Sequence, residues 1–291
     1  MAVSIIINPI AGGRAGSVGV RVDLARRIAA ECGQAADVSI TEALGHAREL
    51  AKAARASGAA RVVAWGGDGT INEVASVLSF SDVPLAIVPA GSGNGLARAL
   101  ALPTHPPEAL RRAFTGAARP IDVGTVDDRL FVNLAGVGFD AHVAAQFNTP
   151  DNRRGPWRYV TLTARALFTY QPRCYEIVTD GQRKSVRALL VVIANGNEFG
   201  NRMLIAPGAR VDDGALDLVV VEERSRAATI CRVPWLVNRC IDRVPVWSSW
   251  RAQEAVIESE QPMLFHVDGE SVQGGKTLRA RVSAGALLVV T

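Results

Sequence analysis

The stretch VVAWGGDGTINEVAS, residues 62–76, decides how the chain is read. An apolar run of strand character ends at Trp65. The segment Gly66-Gly67-Asp68-Gly69-Thr70 interrupts it, and apolar residues at helical spacing resume at Ile71. In a strand, glycine turn and helix in that order, backbone N–H groups can face an anion at the helix N-terminus, because glycine has no Cβ to obstruct the approach. Asp68 among those glycines would repel phosphate unless a divalent cation lay between, and Mg2+ takes one or two carboxylates together with phosphate oxygens. The plainer reading makes Asp68 a turn former or helix cap.

Two further loops share this setting. NPIAGGRAG, residues 8–16, follows the apolar run 3–7, and PAGSGNGLAR, residues 89–98, follows the run 85–88. Strand-like runs at 3–7, 37–40, 61–65 and 85–88 alternate with helical patterns at 18–31, 45–56, 71–78 and 96–100. Such alternation implies parallel strands with helical crossovers, and ligands of such sheets lie at the carboxyl ends of the strands. Three loops suited to phosphate on one edge point to a nucleotide. From about residue 123 the pattern becomes β-rich, with runs at 130–134, 174–178, 188–193, 216–221, 255–257 and 264–267 and helical stretches at 156–168 and 226–239. That spacing suggests an antiparallel sandwich. The expected division is an α/β nucleotide-binding domain over 1–122 and a β-sandwich domain over 123–284, with a terminal strand near 285–291 that could return to the first.

Bulk properties fit this plan. A chain of 291 residues that is 48% hydrophobic has room for two cores. The net charge of +4 and a pI near 9.1 favour phosphates or an anionic membrane surface, while the lack of a Lys/Arg block or aromatic RNA-binding signature speaks against nucleic acid. Cys32, Cys174, Cys231 and Cys240 match neither a redox pair nor a zinc knuckle, so they read as thiols of a reducing compartment. With no signal-peptide pattern and no apolar run of membrane-spanning length, the expected location is cytoplasmic. Familiar alternatives fail: GGKT at 274–277 has Glu270 where a P-loop needs glycine, Gly91, Gly93 and Gly95 form GxGxG rather than GxGxxG, and Ser92 lacks the flanking glycines of a nucleophile elbow.

With GGDGTINEV, NPIAGG, TEALGHARELA from Thr41, PAGSGN, Ile121-Asp122-Val123-Gly124, GVGFDAHV from Gly136, APGARVDDGALDLVVV from Ala206 and HVDGES from His266, nearly the whole chain resembles the diacylglycerol kinase catalytic-domain family. That family includes bacterial lipid kinases and sphingosine kinases. The resemblance implies an NAD-kinase/phosphofructokinase-like α/β domain followed by an antiparallel β-sandwich domain, with an active site in the cleft between. The implied reaction is transfer of the ATP γ-phosphoryl group to the hydroxyl of diacylglycerol or a sphingoid base. Thr41, Gly66, Gly67, Asp68, Gly69, Thr70, Ile71, Asn72 and Ser92 would line the ATP site, with Asn8 nearby. Asp68 would act through Mg2+, supported by Asp122 through water. Glu270 matches the proton acceptor, Asp268 would position its loop, and Asp140 would engage the acceptor head group or else make a structural hydrogen bond. Arg210 and Ala215, through their carbonyls, and the Asp213 side chain would hold a structural metal, unless the segment is a simple turn.

Gly95, where many bacterial members have Asp, and Gly200-Asn201-Arg202 depart from the family pattern and leave the lipid open. The segment 230–250 mixes Trp235, Trp247 and Trp250 with Arg232, Arg239 and Arg243, with Arg251 next to it. That mixture suits either peripheral contact with the inner membrane face or core tryptophans beside solvated arginines. Homodimerisation stays open. The rival readings are a soluble NAD-kinase-like enzyme and a non-catalytic lipid- or nucleotide-binding regulator.

Overall fold

A computed structural model of the chain describes residues 2–12, 18–147, 165–166, 169–179, 181–199, 203–222 and 247–291. The chain divides into two compact units, Met1–Asp122 with Gly285–Thr291, and Val123–Ala284. The expected helix at 226–239, the Gly200-Asn201-Arg202 departure, most of the helix at 156–168, residues 13–16 of the first glycine loop and Trp235 with its neighbouring arginines lie outside the described residues.

The first unit runs β1 (Val3–Ile7), α1 (Val18–Glu31), β2 (Ala36–Ile40), α2 (His46–Ala56), β3 (Arg61–Gly66), α3 (Asp68–Leu78), β4 (Leu85–Pro89), α4 (Gly95–Ala99) and α5 (Pro106–Thr115), and then the start of β5 (Ala118–Val126). Its parallel sheet has the order β2-β1-β3-β4, with the end of β15 (Thr277–Val290) added beside β4 at Val289 and Leu85. The terminal segment therefore belongs to the α/β unit. Strand alternation feeds both faces. Val3, Ile5, Ile7, Val63, Trp65, Ala86 and Val88 pack with Ala25 and Ile28 of α1 and with Leu110 and Phe114 of α5, while Ile6, Val62, Ala64 and Ile87 are also fully or almost fully buried. Helix α2 buries Ala47, Ala51 and Ala54, one stripe at helical spacing. Helix α5 lies outside the expected helical patterns; its paired prolines at the start, Pro106-Pro107, are a helix-entry signal.

In the second unit β6 (Arg129–Phe131), β7 (Leu134–Gly138) and α6 (Phe139–Phe147) precede β8 (Arg173–Thr179), β9 (Gln182–Ala194), β10 (Leu216–Glu222), β11 (Trp247–Ala252), β12 (Glu254–Glu258), β13 (Leu264–Val267) and β14 (Glu270–Gln273). All pairings among these strands are antiparallel. The 13-residue β9 pairs with β8 along its first half, and along its second half with β7 on one side and β10 on the other. One core gathers Phe131, Val137, Tyr175, Val191, Leu218, Ile257, Phe265 and Leu278. The single strand expected over 130–134 is broken in two, because the backbone N–H groups of Val132, Asn133 and Leu134 turn toward the carboxylate of Asp268. Trp247 donates its indole N–H to the Ile205 carbonyl, and Trp250 donates to Thr179 Oγ1 while packing on the core. Both are thus anchored within the protein. No helix among the described residues is long and apolar enough to cross a membrane.

Candidate functional site

Parallel pairing sets the three glycine loops at the carboxyl ends of adjacent strands, and specific contacts lock them together. Asn8, just past β1, donates through Nδ2 to Thr70 Oγ1 at 2.8 Å. Ala90 N–H donates to the Gly66 carbonyl at 2.8 Å. The Cα atoms of Gly67 and Gly91 cross closely: a Cβ on Gly91 would lie 2.7 Å from Gly67 Cα. These glycines are needed for one loop to pass the other, as well as for any ligand. Arg21 braces the first loop, donating to the carbonyls of Asn8 and Ala11 and stacking over Trp65.

Asp68 resolves the question of a carboxylate among glycines. It is the first residue of α3, and its Oδ2 and Oδ1 accept the backbone N–H groups of Asn94 at 2.9 Å and Gly95 at 2.8 Å. It therefore clamps the third loop to the second. Asn94 is held left-handed at φ 55°, and its amide accepts from and donates to the backbone of Gly91. The third loop thus directs the N–H groups of Asn94 and Gly95 at Asp68, which removes two donors from the phosphate site expected there. The N-terminus of α3 differs, since no side chain caps it. Its first-turn N–H groups and the half-buried Gly67 to Gly69 backbone form the anion-suited part of the site.

Other expected ATP-site residues sort by burial. Ile71 is 1% exposed and its N–H closes the first turn of α3 onto the Gly67 carbonyl, so it offers a nucleotide neither side chain nor donor. Gly66 and Asn72 are buried, and Gly66 has no room for a Cβ beside Thr70. Ser92 is exposed at the loop tip. Thr41 is buried, with its N–H on the Ile7 carbonyl. Glu73, missed at the sequence level, accepts the N–H groups of Gly45 and Arg48 and so fastens the start of α2, which follows the Thr41 loop. Asp122 is 2% exposed, and its Oδ1 accepts Gly285 N–H where the chain re-enters the first unit. That contact ties the Asp122 side chain to the returning strand.

The second carboxylate loop is a two-residue hairpin between β13 and β14. Asp268 and Gly269 both have positive φ, 47° and 88°, the pattern of a type I′ turn, and Val267 pairs with Glu270 directly after it. Asp268 Oδ1 accepts from Asn133 and Leu134, its Oδ2 from Val132, and its own N–H donates to the Leu134 carbonyl. Glu270 is half-buried at the end of this fixed turn.

Asp140 is the second residue of α6. Oδ1 accepts Ala141 N–H at 2.8 Å and Oδ2 lies 3.1 Å from His266 Nε2, with both side chains almost wholly buried. The structural hydrogen bond named above is present. Nearby in the same unit is a cavity of about 190 Å3 lined by His142, Tyr170, Arg173, Tyr175, Met263 and Gln273. Burial raises the pKa of both Tyr170 and Tyr175, so both hydroxyls stay protonated near neutrality.

The Asp213 side chain of the expected structural metal site has protein partners on both oxygens. Asp213 Oδ1 accepts Ala215 N–H at 3.2 Å, and its Oδ2 is paired with the guanidinium of Arg251. Arg210 turns its side chain to Asp212. Burial raises the pKa of the neighbouring Asp217 carboxyl, Arg251 lowers it and Asp213 raises it further. Arg251 thus supplies the positive charge that an ion would bring. Among the described residues no group of three or more His, Cys, Asp or Glu side chains could hold a metal. Thermal unfolding of the nucleotide-free protein is therefore expected to be the same in EDTA and in millimolar MgCl2 or CaCl2. A cation resident at a hundred times its Kd would add about 2.7 kcal/mol, readable as a clear rise in midpoint by calorimetry.

A parallel α/β unit with locked glycine loops, followed by an antiparallel unit carrying a DGE hairpin, defines a two-domain protein of the diacylglycerol kinase fold. Residues 2–126 match the diacylglycerol kinase catalytic domain, and residues 133–291 match the YegS C-terminal NAD kinase beta sandwich-like domain. Relatives include a "Probable lipid kinase YegS-like" protein of Chromohalobacter salexigens, 38% identical over 88% of this chain and 84% of that one. A "Diacylglycerol kinase" of Mycobacterium tuberculosis is 32% identical over 76% of this chain and 75% of its own. Among solved structures, a diacylglycerol kinase of Bacillus anthracis superposes with a TM-score of 0.77 at 22% identity, covering 99% of this chain and 96% of that chain. The chain belongs to the diacylglycerol kinase catalytic-domain family, with the YegS-type C-terminal domain.

Proposed function

We propose that the protein is an ATP-dependent lipid kinase that transfers the γ-phosphoryl group to a hydroxyl of diacylglycerol or a sphingoid base. The observation that carries the reading is the gathering of three glycine loops around the uncapped N-terminus of α3, a backbone cradle for phosphate. The names of its relatives support a lipid acceptor. Phosphoryl transfer asks a protein mainly for positioning and charge stabilisation, together with a group to take the alcohol proton. In the proposed step the lipid O–H bond breaks as its oxygen bonds the γ-phosphorus, the β–γ bridging P–O bond breaks, ADP leaves, and Glu270 receives the proton. Gly67, Gly69 and Thr70 would bind phosphate through backbone N–H groups. Asp68 would serve as a carboxylate of a nucleotide-bound Mg2+, which would neutralise phosphate charge. The cavity lined by Tyr170, Arg173 and Gln273 would take the acceptor head group, with the lipid presented at the inner membrane face. Incubation of the purified protein with labelled ATP and a total lipid extract is expected to yield a labelled phospholipid. Label confined to NADP or absent from lipid would overturn the reading.

A further inference from the structure

We infer that His266, anchored by Asp140, is the positioning residue for the turn that carries Glu270, an inference that rests on the reading of Glu270 as the proton acceptor. Gly269 N–H lies 3.3 Å from His266 Nδ1 and can only donate to it, so Nδ1 bears no proton. In the neutral ring the proton is then on Nε2, where it donates to Asp140 Oδ2 at 3.1 Å. The other Asp140 oxygen is fixed by Ala141 N–H. The result is a directed chain, Gly269 N–H to imidazole to carboxylate, with the two side chains only 5% and 8% exposed. It ends one residue before Glu270.

Its placement follows from the fold. His266 on β13 pairs with Gly136 on β7, and β7 leads directly into α6 and Asp140. A side chain on Gly136 would overlap Asp140 Oδ2 and press on His266 Nε2, so the glycine opens the space in which the pair meets. Asp268 holds the turn from one side through Val132, Asn133 and Leu134. His266 holds the exposed Gly269 from the other. A catalytic carboxylate on a hairpin tip needs both, because a misplacement of about 1 Å can cost about 10²-fold in rate.

Two isosteric replacements separate the two ring nitrogens. His266→Asn keeps an acceptor at the Nδ1 position and loses the reach to Asp140. His266→Gln keeps a donor at the Nε2 position and loses the acceptor for Gly269. The expected result is a fall in kcat of about 10²-fold for Gln and a much smaller one for Asn, with KM for ATP and for lipid unchanged in both. Equal kcat for the two variants, or a raised lipid KM with intact kcat, would overturn the inference; the latter would return Asp140 to head-group binding. A second readout needs no turnover and no variant. In 15N NMR of the wild-type protein at neutral pH, His266 should show a protonated Nε2 and a bare Nδ1, and the opposite tautomer would overturn the inference. Glu270→Gln assayed alongside separates the two levels. If it turns over like the wild type, the proton-acceptor reading fails and takes the inference with it. If it is inactive while His266→Gln is fully active, only the positioning role fails.

Discussion

Replacing Glu270 by Gln is expected to lower kcat by about 10²- to 10⁴-fold at saturating ATP and lipid, the usual contribution of a positioned base, while leaving the thermal midpoint unchanged. The separation of effects follows from the hairpin. The conformation of the turn is set by Asp268 and Gly269, both with positive φ, and by the contacts of Asp268 to β6–β7 backbone. Glu270 contributes to the strand through its backbone pairing with Val267. Glutamine keeps that backbone and the side-chain volume and removes the ability to accept a proton as a carboxylate. Steady-state kinetics on both substrates, with calorimetry of the same preparations, checks this. Wild-type turnover in the variant would move the base elsewhere, whereas a loss of stability equal to the loss of rate would make Glu270 a structural residue.

The alternating half of the chain was readable because its periods are local. Strand and helix at residues 3–7 and 18–31 fall where the apolar pattern puts them, and the glycines mark the ends of β1, β3 and β4. What the pattern hid were decisions made by distant partners. Residues 130–134 have a continuous strand pattern, yet Asp268 draws three consecutive N–H groups out of the ladder from 134 to 136 positions away. Helix α6 is hidden because Phe139-Asp140-Ala141 follows β7 without a turn residue other than Gly138, which has φ 106°. The site was legible as a set of loops, but not as a set of contacts. Asp68, Asp140 and Asp213 each stand in motifs that suggest a ligand, and each has at least one carboxylate oxygen on a backbone N–H. Spacing says where a carboxylate stands; only the fold says what else it touches.

That double use of a carboxylate gives Asp68→Ala its expected effect on two measurements at once. Both of its oxygens accept charge-assisted hydrogen bonds, each worth about 1.5–3 kcal/mol. Removing them strands the N–H groups of Asn94 and Gly95, both buried, and frees a loop whose Asn94 is held at positive φ. A destabilisation of roughly 2–4 kcal/mol follows, lowering the unfolding midpoint by roughly 5–10 °C. Turnover should fall about 10³-fold or more, since the electrostatic stabiliser of the transferring phosphoryl group and the loop geometry are lost together. Asp68→Asn divides the two. Its carbonyl still accepts from one of the two N–H groups, recovering part of the stability, while its neutral amide can neither carry negative charge nor hold Mg2+ as a carboxylate does. Asn is therefore expected to melt between Ala and wild type and to be as inactive as Ala. If Asn instead restored turnover to within about threefold of wild type, a difference of less than 1 kcal/mol in barrier, the carboxylate charge would have no part in the transfer and Asp68 would be a loop clamp alone.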